Sequence, residues 1–328
     1  MTIDAELLRA LRTAGDGAVS GVELAERLGV SRAAVWARVA ELRRLGYDIE
    51  AGPHRGYRLL SAPDLLHADD LLARLGPTRV VGRDIRVFQE TVSTNDLAEK
   101  LAHDGVKEGV VVFAEAQTRG RGRLGRKWLS PPGKGLWFSV LLRPDCRPQE
   151  TTRLTVAAAT ALARAVESQT GLTPEIKWPN DLLIAGRKAA GILTELSAEL
   201  DHVKHVILGI GVDVNLTARD FPADLRKTAT SLRLETGETV DRAELATAIL
   251  RELDRDYARV CRGQFEAVAD EWERRCTTVG RDAVLQLGDR QIIGRAESLD
   301  ADGALLLRTQ HGHLERVTGG DVRLERRE

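Results

Sequence analysis

The sequence predicts an α+β protein of several domains: a helical N-terminal module with a β-hairpin, a central mixed α/β core, and a small all-β C-terminal part. Three observations carry this reading. Residues 1–62 read as short amphipathic helices followed by a hairpin, strands alternate with helices from about Asp84, and after Gly280 short β-prone runs succeed one another between glycine or aspartate turns. With 328 residues the chain is too long for one average domain and long enough to bury a substantial core. The expected divisions are 1–62, 63–277 and 278–328.

The first division opens with "DAELLRALRTAG", whose leucines fall at helical spacing up to Gly15, and continues with "VELAERLG", stopped by Gly29. "SRAAVWARVAELRRLG" follows with Ser31 as its N-cap; Val35, Val39 and Leu42 share one face, and Arg32, Arg38 and Arg43 are expected to point outward. "YDIEAGPHRGYRLL" then gives two β-prone runs about a turn that carries His54 and Arg55. Helix, glycine turn, arginine-bearing helix and β-wing together predict a winged helix-turn-helix, with "SAPD" as the linker leaving it.

In the central division "DIRVFQE", "GVVVFAEA", "GLWFSVLLRP", "EIKWP", "AAGILTELS" and "HVILGIGVDVN" read as strands, with "TNDLAEKLAHDG" and "ETTRLTVAAATALARAVESQTG" as helices between them. Asp241, with Glu244 in the capping-box position, opens a further helix to about Cys261. The five runs after Gly280, from "DAVLQL" to "DVRLERR", suit a small SH3-like β-barrel.

Composition narrows the function classes. A formal net charge of -1 and a pI near 6.7 give no global attraction to nucleic acid or anionic membrane, so any such binding is local. Cys146, Cys261 and Cys276 are odd in number and lack CxxC spacing, which argues against a disulfide framework or a zinc site and fits a reducing cytoplasm. No apolar run approaches the roughly 20 residues of a membrane span, and the N-terminal stretch is amphipathic rather than a signal peptide, so a soluble cytoplasmic protein is expected. Only 8 of the 48 basic residues are lysine, so a lysine inside a tight motif is a candidate for chemistry.

"TRGRGRLGRKW", residues 118–128, holds five cations and no acid. Its glycines let backbone approach a ligand closely while the arginines fork around it, a pattern suited to phosphate. It is neither a Walker A motif nor GxGxxG leading into a helix, and it lies between two strands. A connection of about twenty residues within a compact domain is usually functional or disordered. An RNA tether of RGG type would come as repeats in a tail, so a small polyphosphate is favoured, with Trp128 placed to stack on a nucleobase.

"GRGRLGRKW", followed in order by "KWPND", "RKAAGILTE" and "GIGVDVN", resembles the biotin protein ligases, and the N-terminal winged helix resembles the bifunctional form that is also the biotin operon repressor. "TVSTND" before the loop and "FPADLRKTATSL" after the last core strand extend the likeness to essentially the whole chain. The resemblance implies a biotin/lipoate ligase-like catalytic domain that joins biotin to ATP, forming biotinyl-5'-adenylate and pyrophosphate, and then biotinylates a lysine of a biotin carboxyl carrier protein. It implies Mg2+ as a partner of ATP, a homodimer formed on adenylate binding, and operator DNA as a second partner.

The same resemblance supplies roles. Ser93, Thr94, Asn95, Gln117, Gly120, Gly122, Gly191 and Gly209 would form the biotin pocket, whose buried urea demands hydrogen bonds. Arg121 and Arg123 would meet the biotin carboxylate or the phosphate; Arg126, Lys177, Asn180 and Asn215 would hold ATP, and Trp128 would cover the adenine. Lys188 is the expected catalytic lysine, and Asp181 is a candidate for ATP, metal or deprotonation of the acceptor amine. Taken alone, "STND" reads first as a helix N-cap, a role that is compatible with the pocket. Asp213 departs from the family's usual "GIGINVN", placing an acid where an asparagine is expected near the nucleotide. The loop at Arg119 to Trp128 is expected to order over the adenylate on ligand binding.

For the winged helix, 1–62 carries nine basic and eight acidic residues, so DNA binding would rest on placement. Ser31, Arg32, Ala33, Trp36 and Arg38 on the third helix and Arg55 on the wing are the expected contacts. Rival readings are a lipoate-protein ligase, which shares the adenylation chemistry, and a biotin-sensing regulator without ligase activity. The "STN" set with Gln117 favours biotin, and Lys188 with the arginine loop favours catalysis.

Overall fold

The structure, a computed structural model, describes residues 2–52 and 55–324. The chain forms two compact units, Met1–Pro77 and Thr78–Glu328.

The first unit contains α1 (Ile3–Thr13), α2 (Gly21–Leu28), α3 (Arg32–Arg44), the antiparallel hairpin of β1 (Asp48–Gly52) and β2 (Gly56–Ser61), and α4 (Ala68–Leu75). Thr2, Ser20 and Ser31 each accept a backbone N–H of the helix they open, and Gly29 ends α2 in the left-handed region. Leu7, Leu8 and Leu11 of α1 close on Leu24, Val35, Val39, Leu42 and Ile49, so the apolar stripes read from the sequence form one core. The unit runs past the boundary expected at 62. Beyond "SAPD", α4 packs on α1, where Arg12 Nε donates to the buried Asp70 at 2.8 Å. His54 lies outside the described residues. Arg43 is exposed as expected, and its guanidinium also donates to the Ile49 carbonyl at 2.9 and 2.5 Å, tying α3 to the hairpin.

The second unit is built on a seven-stranded mixed sheet. Its elements are β3 (Asp84–Thr91), α5 (Thr94–His103), β4 (Val110–Gln117), β5 (Leu136–Leu142), α6 (Thr152–Thr170), β6 (Glu175–Lys177), β7 (Asp181–Ile184), β8 (Arg187–Glu199) and β9 (His202–Val212). Strand order is β3-β4-β5-β9-β8-β7-β6, with only the β3–β4 pair parallel, as its crossover through α5 requires. β5 is buried along its whole length, and β4 up to its last residue; Ala98 and Ala102 of α5 pack on Val110, Val112, Leu141 and Ile207. α7 (Leu232–Thr236), α8 (Arg242–Cys261) and α9 (Glu266–Arg275) follow, with the Asp241 side chain capping α8 as read. β7 was not foreseen: Pro179 ends β6, and the chain turns directly into a new strand.

The C-terminal strands β10 (Asp282–Leu287), β11 (Arg290–Leu299), β12 (Leu305–Thr309), β13 (Leu314–Val317) and β14 (Asp321–Leu324) form a separate antiparallel sheet in the order β13-β12-β11-β10-β14. Ala283, Leu285, Ile292, Ala296, Leu305 and Leu307 alternate inward as period two demands. Among the described residues no ladder joins β13 to β14.

Candidate active site

The central sheet, the loop between β4 and β5, the 221–229 segment and the β13–β14 turn enclose a cavity of about 630 Å³. At one end lies a polar recess. Thr94, in the first turn of α5, donates from its backbone N–H and its hydroxyl to Gln117 Oε1 at 2.9 and 3.2 Å. Gln117 Nε2 donates onward to Ser130 Oγ at 2.8 Å, Ser139 Oγ donates to Asn95 Oδ1 at 2.5 Å, and Asn95 Nδ2 donates to Glu195 at 2.7 Å. Ser93 stands at the N-cap position without making a capping hydrogen bond, so the bland reading of "STND" falls short of what these side chains do. Gly209 is glycine of necessity: a Cβ there would sit 2.2 Å from Asn95 Oδ1. Buried polar groups so fully wired are rigid, which suits recognition of a neutral, hydrogen-bonding head group.

The arginine loop closes on itself over the cavity. Trp128 N–H donates to the Gly120 carbonyl at 2.9 Å, Gly122 N–H to the Arg126 carbonyl at 2.7 Å, and Leu124 and Gly125 turn the chain with φ of 55° and 71°. Each arginine that faces inward has a partner. Arg121 donates to Asp96 at 2.5 Å and to Glu195 at 3.3 Å, Arg123 reaches the Asn180 side chain and the Gly320 carbonyl at 3.3 Å each, and Arg126 pairs with Asp321. Burial lowers the Arg123 guanidinium from its usual range, against the pull of Asp321 and Asp181. The loop expected to order on ligand binding is thus already pinned by acids and carbonyls, which stand where anionic ligand oxygens would compete.

Trp128 lies flat on backbone: Cβ atoms built at Gly211 and Gly191 would approach its ring to 2.6 and 3.1 Å, and its edge meets Trp137 at 6.3 Å. Its buried indole N–H has no partner among the described residues. Lys188 Nζ stands 5.2 Å from the Trp128 ring centre and 2.5 Å from Asp181 Oδ1. Asn180 is anchored by donating to the Ile192 carbonyl at 2.7 Å. Asp213 is 6% exposed, and burial pushes its carboxyl well above the usual range, with Lys188 opposing the shift.

Of the residues picked from the sequence, Ser93, Thr94, Asn95, Gln117, Arg121, Gly122, Arg123, Arg126, Trp128, Lys177, Asn180, Asp181, Lys188, Gly191, Gly209 and Asp213 all line this one cavity. Two picks do not. Asn215 exchanges both ends of its amide with the Val240 backbone at 3.0 Å, which makes it a clamp on the approach to α8, and Gly120 serves the loop's closure, since a Cβ there would lie 2.5 Å from the Trp128 carbonyl. Ser130, Ser139, Glu195 and Asp321 were missed. Ser139 carried a signal, as a lone hydroxyl inside the apolar run "LWFSVLL".

In the first unit Arg32, Ala33, Trp36 and Arg38 form an exposed strip of α3 behind the capping Ser31, with Trp36 64% exposed, while Arg38 lies 3.6 Å from Asp4. Arg55 N–H closes the wing turn on the Gly52 carbonyl at 3.0 Å.

Comparison with known proteins ties these features together. Residues 87–213 match the Biotin/lipoate A/B protein ligase family, 5–58 an HTH domain, and 280–324 the Biotin protein ligase C terminal domain. The chain is 38% identical over 98% of its length to the bifunctional ligase/repressor BirA of Bacillus spizizenii, covering 99% of that protein. The chain belongs to the biotin protein ligase family. Within it, the helix-turn-helix unit marks the bifunctional kind: the bifunctional ligase/repressor BirA of Escherichia coli is 32% identical over 93% of this chain and 92% of its own. Among solved structures, the biotin protein ligase of Aquifex aeolicus in complex with biotin and ATP is 31% identical, with a TM-score of 0.63 over 75% of this ligase and all (100%) of that chain. No helix among the described residues is long and apolar enough to cross a membrane.

Proposed function

We propose that this ligase condenses biotin with ATP to biotinyl-5'-adenylate, transfers the biotinyl group to a lysine of a biotin carboxyl carrier protein, and, loaded with adenylate, represses transcription through its helix-turn-helix. The observation that carries the reading is the meeting, in one cavity, of a wired polar recess with Arg121, Arg123, Arg126 and Lys188. The recess takes the cyclic urea. In the first step a carboxylate oxygen of biotin bonds to the α-phosphorus as the bond to the β-phosphate oxygen breaks and pyrophosphate leaves with its electron pair. The acid is ionised at neutral pH, so no base is needed, and the task is to offset charge repulsion. Arg121 and Arg123 meet the carboxylate and α-phosphate, Arg126 the leaving group, and Trp128, backed by Gly211 and Gly191, covers the adenine. Lys177, Asn180 and Asp213 complete the nucleotide side.

In the second step the acceptor amine attacks the biotinyl carbonyl and AMP departs. A lysine with a pKa of about 10.4 must first lose a proton, and Asp181 is the acceptor we assign. Asp181→Ala is expected to lose transfer while retaining adenylation; equal loss of both would limit Asp181 to holding Lys188. Mg2+ fits the donor set as a partner of the ATP phosphates. Asp181 faces the cavity and would supply one carboxylate to an ion bound chiefly through the ATP phosphates. Bound there, it would share the charge on pyrophosphate. Adenylate binding would favour a homodimer that sets two α3 helices on operator DNA.

Biotin-dependent exchange of pyrophosphate into ATP, followed by transfer to an apo carrier domain, tests the reading. Exchange with biotin followed by transfer supports it; activity with lipoate alone, or binding of biotin without exchange, overturns it.

A further inference from the structure

Among the described residues, Glu195 is the one acid bonded both to the recess, through Asn95, and to the arginine loop, through Arg121. On β8 it follows Gly191 and Leu193, both of which line the cavity, at period two, whereas Thr194 bonds Thr155 of α6 at 2.8 Å. Its Oε2 accepts from Asn95 Nδ2 at 2.7 Å, and both its oxygens lie 3.3 Å from Arg121 NH2. An ionised carboxylate can only accept. It therefore fixes the Asn95 amide with nitrogen toward Glu195 and oxygen toward Ser139, 2.5 Å away, packed against the Gly209 backbone.

We infer that Glu195 is the positioning residue for biotin recognition: it sets the orientation of the Asn95 amide in the recess and ties that orientation to Arg121 at the cavity mouth. The inference rests on the reading that the recess takes the cyclic urea. A glutamine at 195 is nearly isosteric but presents an N–H₂ as readily as a carbonyl, so the Asn95 amide is no longer held in one sense. The cost falls on ligand binding in the recess rather than on phosphoryl transfer, and reads as a higher KM at constant kcat.

The test is pyrophosphate exchange by the full-length protein in a double-mutant cycle of Glu195→Gln and Asn95→Ala, with the melting temperature of each variant. In the Asn95 background Glu195→Gln is expected to raise the KM for biotin about tenfold, the size of a lost charge-assisted hydrogen bond, with the KM for ATP, kcat and melting temperature unmoved. In the Asn95→Ala background the same change should shift the biotin KM less than about twofold. An unchanged biotin KM in the first background, an equal effect in both, or a parallel rise in both KM values with a lower melting temperature overturns the inference. A wild-type protein active with lipoate in place of biotin overturns the urea reading, and the cycle run on that acid still decides the role of Glu195. A wild type without either activity overturns both.

Discussion

Lys188 Nζ lies 2.5 Å from Asp181 Oδ1 across the β7–β8 hairpin, so the ammonium that stands over the Trp128 ring is held by a carboxylate. An incoming phosphate must take over that ammonium, releasing Asp181. Lys188→Ala should lower the rate of biotin-dependent pyrophosphate exchange by about 10²- to 10³-fold, as for loss of a charge placed where negative charge develops. Lys188→Arg should not restore it, since a planar fork cannot follow charge between oxygens as a compact ammonium does. Single-turnover adenylate formation checks both; a Lys188→Ala enzyme within threefold of wild type would remove Lys188 from the chemistry.

Gly209 offers a steric probe of the recess. A methyl there must displace the Asn95 side chain, whose oxygen stands 2.2 Å from the position it would take. Gly209→Ala is expected to weaken biotin binding by about 10- to 100-fold through a strained and partly unsatisfied amide, while leaving the affinity for ATP within twofold. Titration calorimetry with each ligand separately is the measurement; equal weakening of both would mean that the sheet itself had moved.

The division of labour between sequence and structure follows from what each residue must do. Leucines at helical spacing in α1, the apolar run of β5 broken only by Ser139, and the alternation in β10 each need only a local pattern, and all were legible. The arginine loop was legible because five cations without an acid demand an anion. What stayed hidden is long-range pairing: Arg126 finds Asp321 from another sheet, Arg121 finds Asp96 and Glu195, and α4 joins the first unit through Arg12 and Asp70. No local pattern encodes such partners. Asn215 was read as a nucleotide ligand from its motif, yet its amide is consumed by the Val240 backbone, a use visible only once the chain returns there.

Asp213 ties stability to pH. Burial raises its carboxyl above the unfolded value of 3.8, so the native protein keeps a proton that the unfolded chain releases. Stability therefore falls as pH rises from about 4 through the folded pKa, the opposite of a salt-bridged aspartate. Asp213→Asn, which restores the residue expected from the family motif, carries no such proton. Its melting temperature should match wild type near pH 4 and exceed it increasingly toward pH 7, and thermal scans between these limits would expose a constant difference if the carboxyl were not the cause.

The acidic partners of the loop predict protection by substrate. Arg126, beside the loop's tip and with its side chain 63% exposed, gives trypsin an accessible bond at Arg126–Lys127. When biotin and ATP replace Asp96, Glu195 and Asp321 as partners of the arginines, stronger charge-assisted bonds should hold the loop and slow cleavage at Arg126–Lys127 severalfold. Either ligand alone should give less protection. Mass spectrometry of timed digests reads the bond directly, and cleavage unaffected by the two ligands together would detach the loop from the site.

The N-terminal unit allows binding to be separated from folding. Trp36 and Arg32 are exposed on α3 and add nothing to the core of Leu7, Val35, Val39 and Leu42, so Trp36→Ala and Arg32→Ala should leave the melting temperature within about 2 °C of wild type. Both should weaken binding to a duplex selected from a random pool by the adenylate-loaded protein. For Arg32 in a phosphate contact the loss should be uniform across sequences and the salt slope about one unit shallower; in a base contact it should relax specificity at one position. Val39→Ala is the contrast, costing about 1–3 kcal/mol of stability by opening the core. Fluorescence anisotropy over a salt series, with ligase activity assayed in parallel, distinguishes them; if Trp36→Ala left both affinity and sequence preference intact, the exposed strip of α3 would serve some contact other than DNA.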